Sequence, residues 1–152
     1  MKKAKVILDK IHTNVLTIMF IIMVLVCFQQ VISRYLLGNS LVWSEELSRY
    51  ILTWIVFLGT GYVLGQGGHA SMDLLEMLPQ NIRKVLSYIS NLFVIIYSFI
   101  MIKYGIEFLL IGMRQKSSAM QIPMSIVYIA LPLGGLMIMI YCLLSFFVAE
   151  GE

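Results

Sequence analysis

Long uncharged runs alternate with short charged clusters along the chain. Between Lys10 and Arg34 lie 23 uncharged residues, Ile11 to Ser33. Between Arg49 and Asp73 lie another 23, Tyr50 to Met72, although Gly67, Gly68 and His69 close that run early. Lys84 and Lys103 bracket 18 residues, and Lys116 and Glu150 bracket 33, mainly apolar from Pro123 onward. A hydrocarbon core about 30 Å thick is crossed by about 20 residues of helix. The pattern therefore predicts four spanning helices, at approximately 11–33, 48–68, 83–104 and 123–148. Period-2 alternation is absent, which argues against a β-barrel. The expected fold class is an all-α integral membrane protein. Its four transmembrane helices include a second one preceded by an interfacial helical segment, and residues 1–152 form a single membrane domain.

Local signals punctuate the runs. Gly38-Asn39 suits a left-handed cap after span 1, and Asn39 or Ser40 can cap the next helix. Gly67-Gly68 ends span 2, and Pro79 stands in the turn before span 3. Pro123 suits the first turn of span 4, where a missing N–H costs nothing. Pro132 falls inside span 4 and predicts a kink. Span 3 overruns its window, because Ile106, Phe108, Leu109, Leu110 and Ile111 stay apolar beyond Lys103 and Glu107.

Composition agrees. Of the 152 residues, 60% are hydrophobic and 12% charged, against roughly 45–50% and 25% in soluble domains. One soluble core of this length cannot hide so much apolar surface, whereas lipid can cover it. Disorder is excluded by the hydrophobicity. A net charge of +3, concentrated at one end, gives no nucleic-acid surface. Lys2, Lys3, Lys5 and Lys10 crowd the N-terminal tail beside the single acid Asp9. The positive-inside rule then expects a cytoplasmic N-terminus and, after four spans, a cytoplasmic C-terminus. The N-terminal run is too long for a secretory signal and lacks a cleavage site, so span 1 is expected to be retained.

Candidate chemistry is sparse. Cys27 and Cys142 should differ in depth by on the order of 14 Å, and a disulfide needs Cα atoms within about 7 Å. Two free thiols are expected. His12 and His69 both fall at the cytoplasmic boundary. Facing histidines can hold a haem in a bundle, but the plainer reading is interfacial polar residues. No third ligand is near enough to suggest a metal. The middle of every span lacks Asp, Glu, Lys and Arg, which argues against a complete active transporter.

The richest segment runs from Arg34 to Gly68. On one helix from Leu41 onward, Trp43, Glu46, Tyr50, Trp54, Gly61 and Gly65 share a stripe. Glu45 and Arg49 pair on another side, four apart. Gly61 and Gly65 permit close helix approach. The stripe is a candidate face for a neighbouring helix or subunit; routine packing with an interfacial tryptophan is the alternative.

These residues resemble a family. Arg34-Tyr35, Trp43-x-Glu45-Glu46-x-x-Arg49, Trp54 and Gly59 form one motif. Gly68-His69-x-x-x-Asp73 forms a second. Ser118-Ala119-Met120-Gln121-Ile122-Pro123, Tyr128 and Leu131-Pro132-Leu133-Gly134 form a third. Their order and spacing, over nearly the whole chain, resemble the small membrane (Q) subunit of tripartite ATP-independent periplasmic (TRAP) transporters. Departures at Met124-Ser125 and Ala70 affect packing only. The resemblance implies a bacterial inner-membrane scaffold subunit that is not an enzyme. It supports a separate large subunit that carries the substrate and sodium sites and works as an elevator. A periplasmic binding protein delivers the substrate, an organic acid of sialic acid or C4-dicarboxylate type. No cofactor or metal is expected in this chain; sodium belongs to the large subunit.

On this reading Trp43, Glu46, Tyr50, Trp54, Gly61 and Gly65 face the large subunit or the bundle's inner seam. Arg34, Glu45, Arg49, Ser118 and Pro123 lie on the outer face, where they stabilise loops or touch the binding protein. The alternatives are a stand-alone four-helix transporter and a b-type cytochrome subunit.

Overall fold

The computed structural model describes residues 2–38, 41–65 and 80–149. The described residues form five helices: α1 Lys2–Tyr35, α2 Val42–Gly65, α3 Gln80–Gly112, α4 Ser125–Tyr128 and α5 Ala130–Ala149. Four segments are long and apolar enough to cross a membrane: Val6–Tyr35, Val42–Leu64, Tyr88–Gly112 and Ser125–Leu144. The all-α membrane architecture read from the charge spacing is therefore the observed one. The interfacial segment and span 2 are one unbroken helix from Val42. The third helix continues past Lys103 to Gly112, as its apolar tail implied.

The helices lie side by side in the order α1, α2, α5, α3, which differs from the chain order. α5 is the central member and carries the core residues Ala130, Ile138 and Tyr141, all fully buried. α1 packs chiefly on α2, and α3 on α5. The outward faces of α1 and α3 stay apolar and open, for example at Ile18, Phe20, Leu25, Leu92, Phe93 and Phe99.

Lipid tails are as apolar as leucine, so burying leucine gives no net drive to bring helices together in a membrane. Close contact must supply it, and small residues permit that contact. A Cβ on Gly134 would lie 2.8 Å from the Phe57 carbonyl oxygen on α2. A Cβ on Gly135 would lie 3.0 Å from the Ser98 carbonyl oxygen on α3. This adjacent pair lets α5 sit against both neighbours at once. Gly61 opposes Met137 and Ile138 in the same way, and Gly105 lies under Pro132.

The prolines differ from expectation. Pro123 is not in a helical first turn; it sits in the loop before α4, paired with Lys116 in an isolated antiparallel bridge. Pro132 stands near the start of α5, so the expected mid-helix kink becomes the α4–α5 boundary at Ile129. Pro132 has no N–H for the Tyr128 carbonyl four residues back, and its ring crowds that carbonyl. Backbone angles stay right-handed helical at Ile129 (φ −62°, ψ −19°), so the chain changes hydrogen-bonding pattern without turning away. Gly38 adopts φ +64° after α1, in keeping with the left-handed turn expected there. Asn39, Ser40, Gly67, Gly68 and Pro79 lie outside the described residues.

Gly134→Leu should force α5 away from α2. Overpacking at such a contact costs on the order of 2 kcal/mol. Thermal unfolding in mild detergent should show a clearly lowered midpoint for Gly134→Leu, with little change for Leu136→Ala on the exposed side of α5.

Candidate functional site: a carboxylate clasp between α2 and the α3–α4 loop

The end of the bundle opposite the N-terminus is built by the first turns of α2 and the loop 113–124. α2 starts with Ser44 fully buried, its hydroxyl donating 2.7 Å to the Leu41 carbonyl. The bond is local: the hydroxyl meets a backbone carbonyl three residues back, which also accepts the Ser44 N–H. Two turns of exposed and buried positions then alternate, and Glu46 points inward.

Glu46 is the only buried carboxylate among the described residues, 8% exposed. Its Oε2 accepts the backbone N–H groups of Ala119 at 2.8 Å and Met120 at 2.9 Å. Its Oε1 accepts the hydroxyl of Tyr50, one turn along α2. The Tyr50 oxygen also lies 3.4 Å from the Met124 sulfur. Bonds from N–H donors to a carboxylate are stronger than neutral ones. A single side chain thus anchors a loop more than 70 residues away in sequence.

The loop is shaped to present those donors. The Ser117 N–H donates to the Ile122 carbonyl at 2.9 Å, and Met124 N–H donates to Gln115 at 2.9 Å. The buried Ser117 hydroxyl accepts the Ile122 N–H at 3.2 Å. Gln121 closes the turn at φ +55°, a left-handed conformation unusual for a non-glycine residue. Its side-chain amide donates to the Ser118 carbonyl at 3.1 Å, which holds that turn. One turn deeper, the Trp54 indole N–H donates to the Ile126 carbonyl at 3.2 Å. Ile126 stands at the start of the last span, beside the Pro132 break. The clasp and the break therefore act on one short stretch of chain.

Beside the clasp is an open cavity of about 650 Å³ with both polar and apolar walls, bordered by Glu45, Glu46, Arg49, Tyr50, Lys116 and Ser117. Arg49 and Glu45 pair at 3.2 Å, both largely exposed. An exposed pair of this kind adds little stability. It does leave charge standing at the surface.

Two places were open for the stripe on α2, and the structure puts most of it in the inner seam. Glu46, Tyr50, Trp54 and Gly61 all meet this chain's own loop, α4 or α5. Trp43 is partly exposed, at 38%, and Gly65 is the last residue of α2. The outer-face set Arg34, Glu45, Arg49, Ser118 and Pro123 is exposed throughout. Arg34 rests 6.0 Å from the ring of Tyr35.

Sequence reasoning missed two features. Gly105, Gly134 and Gly135 are close-approach positions as tight as Gly61; small residues opposite one another in two spans were the available signal. His12 is not an exposed residue but packs inside the bundle. It is 4% exposed, with Tyr62 and Tyr141 rings 5.6 and 5.7 Å away and the Tyr141 hydroxyl 3.3 Å from its Nδ1. Asp9 engages that same hydroxyl. His69, Asp73 and Glu150 lie outside the described residues. Cys27 and Cys142 are both free thiols, as their depths implied.

The family model described as "Tripartite ATP-independent periplasmic transporters, DctQ component" matches residues 23–150. The chain is 28% identical to the ectoine TRAP transporter small permease protein TeaB of Halomonas elongata, over 84% of this chain and 68% of that one. It is 28% identical to a putative TRAP transporter small permease protein of Haemophilus influenzae, over 86% of this chain and 85% of that one. It is also 29% identical to the sialic acid TRAP transporter permease protein SiaT of Haemophilus influenzae, over 59% of this chain and 15% of that protein.

Glu46→Ala should release the loop, since two backbone N–H groups lose their acceptor. Trypsin should then cut after Arg114 or Lys116 several-fold faster than in the parent chain. Arg49→Gln, which breaks only the exposed pair, should leave the cleavage rate unchanged.

Proposed function

The chain belongs to the family of DctQ components of TRAP transporters, the small permease subunits, and we propose that it serves there as a fixed scaffold. In this reading a large membrane subunit carries the substrate path and couples uptake to sodium. A periplasmic binding protein delivers the substrate, a small organic acid such as a sialic acid or a C4-dicarboxylate. The relatives' names cover ectoine and sialic acid, so substrate choice is assigned to the partners. This chain forms a multi-pass inner-membrane bundle with both termini cytoplasmic, which sets the clasp on the periplasmic side. Sodium is bound in the large subunit, and no cofactor is needed in this one.

The observation that carries the scaffold role is Glu46. Carboxylates buried in membrane carriers serve ion paths by exchanging partners. Glu46 is committed instead to three donors of its own chain. Away from the clasp the bundle core is closed by glycine contacts, and the apolar flanks of α1 and α3 remain open for protein or lipid. At the clasp, exposed Arg34, Glu45 and Arg49 with the edge Ser118–Pro123 present a charged rim to the binding protein. Such rims act mainly on association rate and are screened by salt.

Reconstitution tests this. Proteoliposomes holding only this chain should take up nothing. Adding the large subunit and binding protein should give uptake that stops when sodium is removed. Uptake by the chain alone would overturn the scaffold role. Arg49→Glu should raise the binding-protein concentration needed for half-maximal uptake several-fold at low salt and leave the maximal rate intact.

A further inference from the structure

Charge spacing alone sets Lys103 and Glu107 at and beyond the end of the third span, but α3 runs on to Gly112 and takes both inside it. Glycine contacts fix their depth. A Cβ on Gly112 would lie 2.8 Å from the Ser125 nitrogen, where the last span Ser125–Leu144 begins. A Cβ on Gly105 would lie 2.8 Å from the Pro132 nitrogen, and one on Gly135 would lie 3.1 Å from the Met101 Cβ. Lys103, between Met101 and Gly105, is therefore level with the middle of the last span. Glu107 lies one turn nearer the clasp, about 6 Å along the axis.

Both charges stand on the side of α3 turned away from the bundle. Gly105 faces α5, and Lys103 and Glu107 come two residues before and after it. At about 100° per residue they flank the position opposite Gly105. Both are exposed, and Ile96, Ile100 and Leu110 share their face, exposed as well. They are four apart, yet the Lys103 ammonium turns to the Tyr104 ring, 5.6 Å from its centre. Neither residue makes an ion pair or a hydrogen bond among the described residues. The outward face of α3 is thus apolar with a base and an acid at its centre. The outward face of α1 carries no such pair between Ile11 and Ser33.

We infer that this face of α3 docks a transmembrane helix of the large subunit, which offers an acid to Lys103 and a base or hydrogen-bond donor to Glu107. Charge inside a span is costly against lipid and is found facing protein or water, with a partner. A hydrocarbon core about 30 Å thick leaves Lys103 about 15 Å from either surface, beyond the reach of a lysine stem extended toward the headgroups. An apolar partner helix would bury both charges without compensation. A second copy of this chain, related by a two-fold axis along the membrane normal, would bring Lys103 to Lys103 and Glu107 to Glu107 at equal depth. A different chain of complementary charge avoids both costs. The inference rests on the scaffold reading and assigns that scaffold its contact face.

Titrating the fluorescently labelled chain with the large subunit in mild detergent tests this. Lys103→Met and Glu107→Gln should each weaken binding about fivefold. The isolated chain should keep its thermal midpoint with either substitution, because neither side chain bonds to the rest of the bundle. In the assembled complex, a photo-crosslinking residue at position 100 should form an adduct with the large subunit. Unchanged binding by either variant, a lowered midpoint, or a position-100 adduct only with lipid or a second copy would each overturn the docking face while the parent complex still forms. A parent chain that does not bind the large subunit at all would overturn the scaffold reading as well.

Discussion

Everything in this bundle depends on how closely α5 approaches its neighbours. In lipid, apolar side chains gain nothing by leaving tails for helices, so contact distance decides whether helices associate. Gly134 and Gly135 bring α5 to backbone contact with Phe57 on one side and Ser98 on the other. Gly61 and Gly105 repeat the device from the partner helices. The result is one buried central helix between two less buried ones, with α1 added outside α2. The Tyr141 cluster takes its position from this central helix.

The clasp solves a separate problem. A loop of irregular backbone at the end of a spanning bundle carries amide groups that the helices cannot satisfy. Glu46 accepts two of them and is itself steadied by Tyr50. Trp54 then ties the following helical stretch at Ile126. Three residues one turn apart on α2 therefore fix the entry of the last span. That entry sets where Pro132 lies over Gly105 and hence how α5 meets α3. The polar end and the glycine core are linked through one short segment of chain.

Much of this was legible in the sequence, for specific reasons. Charge spacing located four spans because lipid excludes charge, and the stripe Glu46–Tyr50–Trp54–Gly61 followed from helical periodicity alone. That those residues meet Ala119, Met124, Ile126 and Met137 was not legible, because periodicity gives a face and not its neighbour. The order α1, α2, α5, α3 was hidden for the same reason. Pro132 reads as a kink inside a helix from sequence; its place near the α5 start depends on where the 113–124 loop hands over to α4, and only tertiary bonds fix that. That His12 packs inside, against Tyr62 and Tyr141, was not legible either, because both partners lie on other helices.

A TRAP small permease subunit built this way has a closed core, a clasp carboxylate with its bonds already taken, and open apolar flanks. Those properties suit a part that stays still while another moves. A covalent lock across the bundle tests this most directly. A Cβ at Gly135 would stand 3.1 Å from that of Met101 and 3.0 Å from the Ser98 carbonyl oxygen, so a cysteine there first has to support uptake in the reduced state; with Met101 also cysteine, and Cys27 and Cys142 replaced by serine, oxidation then joins α5 to α3. In the assembled transporter, a fixed bundle gives the same uptake rate oxidised and reduced. Uptake that stops on oxidation and returns on reduction would show that this chain moves during transport and is no scaffold.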